Sequence, residues 1–320
     1  MSKRVFMFPG QGSQYIGMGK EFYDNYPVAR EVFDKAGKIT GLDVASLCFE
    51  ENEKINITEY TQVCMLTVEA ALFAVLKDKG ISYDLTAGLS LGEYGALIAS
   101  GAMSMEDAFA VVRKRGIYMQ NAVPEGGAMS AVIGLDASVI EDACAEVMNN
   151  KDMYDKEDNS LPFTVSVANY NNPKQSVITG RKDAVKAAGD ICSEKGALKV
   201  VELNVSGPFH SALLEGAGKQ LGEALKDVEL NDVTVPYIAN VTAEYVNDKK
   251  DIKELLQKQV YSSVKWQQSL ELMIKDGVDE FIEIGPGHTL TGFVKKIDRS
   301  LKTVNIDTLE DLNKFLESVQ

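Results

Sequence analysis

Short unbroken apolar runs alternate along the chain with longer stretches in which apolar residues recur every three to four positions. Val5-Phe6-Met7-Phe8 is the first such run, and it stops at Pro9-Gly10-Gln11-Gly12. Consecutive apolar residues ended by turn formers predict a buried strand that feeds a tight loop. Helical patterning then continues to residue 79, a weak strand is predicted over 84–89, and a helix over 93–99. Strands alternating with helices favour parallel pairing, since a parallel neighbour needs a crossover long enough to hold a helix. The predicted architecture is α/β with a largely parallel sheet.

The texture changes near residue 127. Strands are predicted over 128–133, 163–167, 176–179 and 198–203, with helices over 137–149 and 183–195. That order, β-α-β-β-α-β, predicts a ferredoxin-like unit. Gly126-Gly127 opens it and Ser206-Gly207-Pro208 closes it, and the polar tract 149–160 inside it is expected to be an exposed loop. Beyond residue 210 the first pattern resumes, with strands over 233–239 and 280–284, the second followed by Gly285-Pro286-Gly287. The expected division is a discontinuous unit of residues 1–126 and 204–320 around a subdomain of residues 127–203.

Composition narrows the function. With 45% apolar and 25% charged residues the chain can form a sizeable core. The net charge of −14 argues against nucleic acid as a partner, which calls for a basic footprint. Cys48, Cys64, Cys144 and Cys192 show neither a C-x-x-C nor a zinc spacing, so they are expected to be reduced core residues. The run ending at Pro9 is too short for a signal peptide, and no apolar stretch is expected to approach the roughly 20 residues needed to span a bilayer, so a cytoplasmic protein without membrane contact is predicted.

Gly88-Leu89-Ser90-Leu91-Gly92 matches G-x-S-x-G between a predicted strand and a predicted helix, the context of a nucleophile elbow. A helix starting there would turn its amides and positive end toward an oxyanion, although a Gly-Ser turn can also simply cap a helix. A serine nucleophile needs a base, and the chain has two histidines. His288 follows Gly-Pro-Gly in a loop and is expected at the surface. His210, in Ser206-Gly207-Pro208-Phe209-His210-Ser211, falls at the seam between the two units, where pockets form. The loop containing Gln11 fails both the dinucleotide and P-loop templates, so an amide donated from it into the site is the better functional reading. Ser104-Met105-Glu106-Asp107 has capping-box form and starts a helix to about residue 122. Arg115 falls within the apolar stripe of that helix, with Ala108, Val111, Val112 and Met119. A buried arginine needs an anion, which is either an internal carboxylate or a carboxylate on a substrate.

These residues carry a resemblance. The chain resembles the malonyl-CoA:acyl-carrier-protein transacylases nearly throughout, to about residue 300. The matching stretches are FPGQGSQ, GLSLGE, the RG-x-x-MQ segment starting at Arg115, VPEGGAM, SGPFHS, KQVY with its following Val264 and Trp266, and EIGPG. The resemblance implies an α/β-hydrolase-like core with a ferredoxin-like insert. It also implies acylation of Ser90, His210 as base, and Arg115 binding the malonyl carboxylate, with Met119 and Phe209 beside the substrate. Backbone amides of Gln11 and Leu91 would form the oxyanion hole, and the Gln259 carbonyl would orient His210. The implied activity is malonyl transfer from coenzyme A to acyl carrier protein in fatty acid biosynthesis, by a monomer without metal or other cofactor. A free-standing polyketide-type acyltransferase and an acyl-thioester hydrolase are the alternatives. Phe209 before the histidine resembles the malonyl-using form. Leu89 departs from the family, which usually has histidine there, and leaves the polarity of the elbow in question. An acidic carrier protein would need a positive patch, for which Arg181, Lys182 and Lys186 or Lys295, Lys296 and Arg299 are the candidates.

Overall fold

A computed structural model describes residues 2–150 and 161–319. The expected loop at 149–160 therefore lies, from residue 151 onward, outside the described residues. Ten strands occur among them: β1 (Arg4–Phe8), β2 (Leu85–Gly88), β3 (Gly127–Ile133), β4 (Val165–Asn172), β5 (Gln175–Arg181), β6 (Lys199–Glu202), β7 (Tyr237–Ala239), β8 (Glu244–Val246), β9 (Glu280–Ile284) and β10 (Lys302–Ile306). They form a six-stranded sheet of order β10-β9-β1-β2-β7-β8 and a four-stranded sheet of order β4-β5-β3-β6. The first is parallel except for β7–β8, and the second is antiparallel throughout.

β1 shows why its sequence reads as one apolar run. It lies between β9 and β2, with helices over both faces, so Val5 through Phe8 are all fully buried. Phe6 and Phe8 pack edge-on against Phe73 of the helix Thr58–Asp78. Val5 and Met7 point the other way, into a second cluster with Leu270 and Phe281. The helix Thr58–Asp78 corrects one expectation. It is long and apolar enough to cross a bilayer, but it is a core helix buried almost along its whole length.

The registers of β1 and β2 place the site. Val5 pairs with Leu85 and Phe8 with Gly88, so the strands end level and their following loops emerge side by side. Gln11 is thereby brought next to Ser90, at the carboxyl ends of parallel strands where open α/β sheets bind ligands.

The second sheet follows the order strand, helix Ala137–Asn149, two strands, helix Lys182–Glu194, strand. It has its own core of residues such as Val132, Ile140 and Ile178. Backbone hydrogen bonds tie it to the larger sheet's flank: Tyr170 donates to the Val264 carbonyl at 2.9 Å, and Val264 to that of Ala168 at 2.8 Å.

Two strand expectations needed revision. The strand placed over 233–239 is confined to Tyr237–Ala239, because Pro236 has no N–H and Thr234 and Val235 donate to the Ser100 carbonyl instead. β10 was missed: its Lys302, Thr303 and Asn305 are polar, and an edge strand buried on one side lacks the continuous apolar run that marks β1.

Candidate active site

Ser90 occupies a left-handed backbone conformation, φ 54°, between β2 and the helix Gly92–Ala99. Such a conformation is strained for serine and persists only where neighbours enforce it. The flanking glycines supply the room. A Cβ on Gly88 would stand 1.9 Å from the Gly92 carbonyl oxygen, and one on Gly92 would stand 2.0 Å from that of Phe8. The elbow is also pinned from β7's end: the Ser90 N–H donates to Asn240 Oδ1 at 2.6 Å, and Asn240 Nδ2 donates to the Gly88 carbonyl at 2.7 Å.

His210 is buried and, like Ser90, has positive φ, 59°. Its Nδ1 lies 2.7 Å from the Gln259 carbonyl oxygen and its Nε2 2.8 Å from Ser90 Oγ. A carbonyl can only accept, so the ring proton belongs on Nδ1, and the Nε2 lone pair faces the serine hydroxyl. Burial, and secondarily the positive charge of Arg115, push the His210 pKa down to about 4. Neutral imidazole is the form that can accept a proton. The acid limb of kcat/KM is therefore expected near pH 4, with no loss of activity between pH 7 and about 5.5; a midpoint near the ordinary histidine value of about 6.5 would contradict this assignment. The same shift bears on stability. The unfolded chain binds this proton more readily, so the stabilising contribution is complete above about 6.5 and is lost as pH falls toward about 4.

Arg115 projects from the buried face of the helix Met105–Ala122, capped by Ser104, and is 1% exposed. Its Nη1 donates to Gln62 Oε1 at 2.8 Å, and Nη2 to Gln259 Oε1 at 2.9 Å and to Ser90 Oγ at 3.2 Å. Its neighbour Arg113 is paired with Glu59 at 2.8 Å, but Arg115 has no ion pair among the described residues, and its Nε has no partner. Neutral amides hold the guanidinium in place without neutralising it. A direct internal ion pair is thus not the arrangement found among the described residues.

Ser90, His210 and Arg115 open onto one cavity of about 480 Å³ between the two sheets. Gln11, Leu91, Met119 and Phe209 also line it, as do Met129 and Val177 of the antiparallel sheet. The backbone N–H groups of Gln11 and Leu91 make no hydrogen bond among the described residues. Leu89 lines the wall as well, beside Gly10. His288 is exposed at the start of the helix Thr289–Ile297. Among the described residues no three His, Cys, Asp or Glu side chains form a metal-holding group.

Sequence reasoning missed Gln62, Asn240 and Glu93. Gln62 and Glu93 are polar residues in buried stretches of their helices, which is a signal in itself. Asn240 follows β7 at the carboxyl end of a parallel strand, where the fold puts ligand-binding groups. One expectation is corrected. Arg181 cannot belong to a surface patch, because it is buried, doubly hydrogen-bonded to Asp183 and stacked over Phe163. Lys182 and Lys186, on the helix that follows Arg181, face Glu202 and Asp190.

The sequence profile described as "Acyl transferase domain" matches residues 5–310, and the chain is an acyltransferase. It is 43% identical over 322 residues to the malonyl CoA-acyl carrier protein transacylase of Bacillus subtilis, covering 100% of this chain and 98% of that one. The MCAT of Streptococcus pneumoniae superposes with a TM-score of 0.91 at 42% identity, covering 99% of this chain and 100% of that one. A malonyl-transacylase in complex with its type II PKS acyl-carrier protein superposes with a TM-score of 0.92 at 36% identity, covering 99% and 100%. The chain belongs to the malonyl CoA-acyl carrier protein transacylase family.

Proposed function

We propose that the chain moves a malonyl group from coenzyme A to the phosphopantetheine thiol of an acyl carrier protein, through a malonyl ester on Ser90, in fatty acid biosynthesis. The observation that carries this reading is that Ser90 Oγ lies within hydrogen-bond reach of both His210 Nε2 and Arg115 Nη2 in one cavity. A nucleophile, its base and a cation with no carboxylate directly upon it suit an acyl group that bears its own carboxylate.

Malonyl-CoA binds with its carboxylate on Arg115. Ser90 Oγ attacks the thioester carbonyl as its proton passes to His210 Nε2, and the oxyanion rests on the amides of Gln11 and Leu91. The intermediate collapses with cleavage of the C–S bond, and imidazolium returns the proton to the leaving thiolate. The carrier thiol then attacks the ester, giving up its proton to His210, which passes it to Ser90 Oγ as the ester C–O bond breaks. The Gln259 carbonyl keeps the imidazole in the required tautomer throughout. Met119 and Phe209 exclude water from the acyl group.

The same reading covers the architecture: residues 1–126 and 204–320 form an α/β-hydrolase-like core, and 127–203 a ferredoxin-like insert. For carrier docking the exposed Lys296 and Arg299 are the better candidates, because Phe293, on the helix that carries Lys296 and ends shortly before Arg299, lines the cavity. The protein is expected to work as a cytoplasmic monomer, without cofactor.

Brief exposure to malonyl-CoA, followed by peptide mass spectrometry, tests the central step. A malonyl adduct on the peptide containing Ser90 is expected, and CoA release should become sustained only when carrier protein is added. Sustained release without carrier would instead indicate a thioester hydrolase.

A further inference from the structure

Glu93 lies three residues beyond Ser90, in the first turn of the helix Gly92–Ala99, and is completely buried. Its Oε2 accepts from Gln259 Nε2 at 2.7 Å and from the Asn240 backbone N–H at 3.1 Å, while Oε1 has no partner among the described residues. Those two neighbours hold the site. Gln259 places its amide oxygen on Arg115, its carbonyl on His210 and its Nε2 on the Ser90 carbonyl at 2.8 Å. Asn240 holds the Ser90 N–H.

The Gln259 amide is polarised by what flanks it. Arg115 has only donors, so Oε1 must face it; Nε2 must then face an acceptor, which Glu93 supplies. Glu93 thereby sits one amide away from a guanidinium that touches no carboxylate. The other titratable groups around it are all shifted toward their neutral forms. Tyr94, on the same helix, and Tyr237, on β7, have unpartnered hydroxyls pushed far up by burial. Glu69, from the helix Thr58–Asp78, packs against Gly95 with both oxygens unpartnered, and burial pushes its pKa well above the ordinary carboxylate value. His210 is neutral near pH 7.

We propose that Glu93 is the counter-ion of Arg115 in the free enzyme, acting through the Gln259 amide, and that it takes up one proton from solvent when a carboxylate-bearing acyl group binds Arg115. The proposal rests on the carboxylate-clamp reading of Arg115. Two anions cannot both be neutralised by one buried cation, and the direct ligand displaces the indirect one. Oε1, lacking a partner, is the atom able to receive the proton without breaking either hydrogen bond to Oε2. Glu93 is poised for this: burial, opposed by Gln259, Asn240 and Arg115, raises its pKa to about 7. The thioester exchange conserves protons, Ser90's leaving with the CoA thiol, so net uptake reports a protein group whose pKa rises on binding, and Glu93→Gln tells whether that group is Glu93.

The test follows proton uptake with an indicator dye in weakly buffered solution while malonyl-CoA acylates the enzyme near pH 7.5. Uptake of up to about one proton per malonyl-serine is expected for the wild type and none for Glu93→Gln. In wild type alone, malonyl-CoA KM should rise above pH 7 by up to about tenfold per unit, a dependence that Glu93→Gln removes. Wild-type acylation without uptake and with a pH-independent KM would overturn the proposal, as would uptake undiminished in a folded Glu93→Gln variant. Failure of the underlying reading looks different: Arg115→Ala would then keep the preference for malonyl over acetyl groups, whatever the proton count.

Discussion

Ser90→Ala is expected to leave no acyl-enzyme and to lower kcat by about 10⁴–10⁶-fold, comparable to removing the serine of other hydroxyl-nucleophile enzymes. The loss should appear in kcat. Arg115, the Gln11 and Leu91 amides and the cavity walls would all remain, so malonyl-CoA should still bind and KM should change little. Stability should also change little. The methyl group removes one hydrogen bond to His210 and one to Arg115 but leaves Asn240 holding the backbone N–H. Rapid-quench detection of CoA release in the first turnover is the decisive measurement. A burst persisting in Ser90→Ala would place the nucleophile elsewhere.

Arg115→Ala is expected to act on selectivity. A malonyl carboxylate facing no cation in a buried site loses an interaction of about 3–5 kcal/mol, which corresponds to about 10²–10⁴-fold in malonyl kcat/KM. An acetyl group gains nothing from the guanidinium, so its kcat/KM should be nearly unaffected. The preference therefore collapses from the malonyl side. Competing the two thioesters against each other, with acyl-enzyme mass as readout, measures the ratio directly. An unchanged ratio would remove the clamp role. Gln62 and Gln259 would lose their shared donor in this variant, so a parallel melting curve separates lost selectivity from lost structure.

Much of this site was legible because its signals are local. Glycines around Ser90 can be read as an elbow from the sequence, and the structure shows the cause: neither Gly88 nor Gly92 has space for a methyl group. Arg115 stands out because the helical period puts it on a face where charge is costly. β1 was clear for the same kind of reason, as a run buried on both sides. What escaped is contact between distant segments. Asn240 reaches Ser90 across 150 positions, and Gln259 reaches Glu93 across 166. Nothing in local pattern or spacing encodes such pairings. Arg181 was misplaced because a basic residue before a helix resembles a solvated one until its partner Asp183 and the ring of Phe163 are seen.

The cavity wall formed by Met129 and Val177 comes from the antiparallel sheet, whereas every group proposed to react comes from the loops and helices around the six-stranded one. Natural variation in that wall can therefore reshape which thioester arms are admitted while leaving bond-making hardware untouched. Divergence of clientele and preservation of reactivity fall on separate parts of one polypeptide.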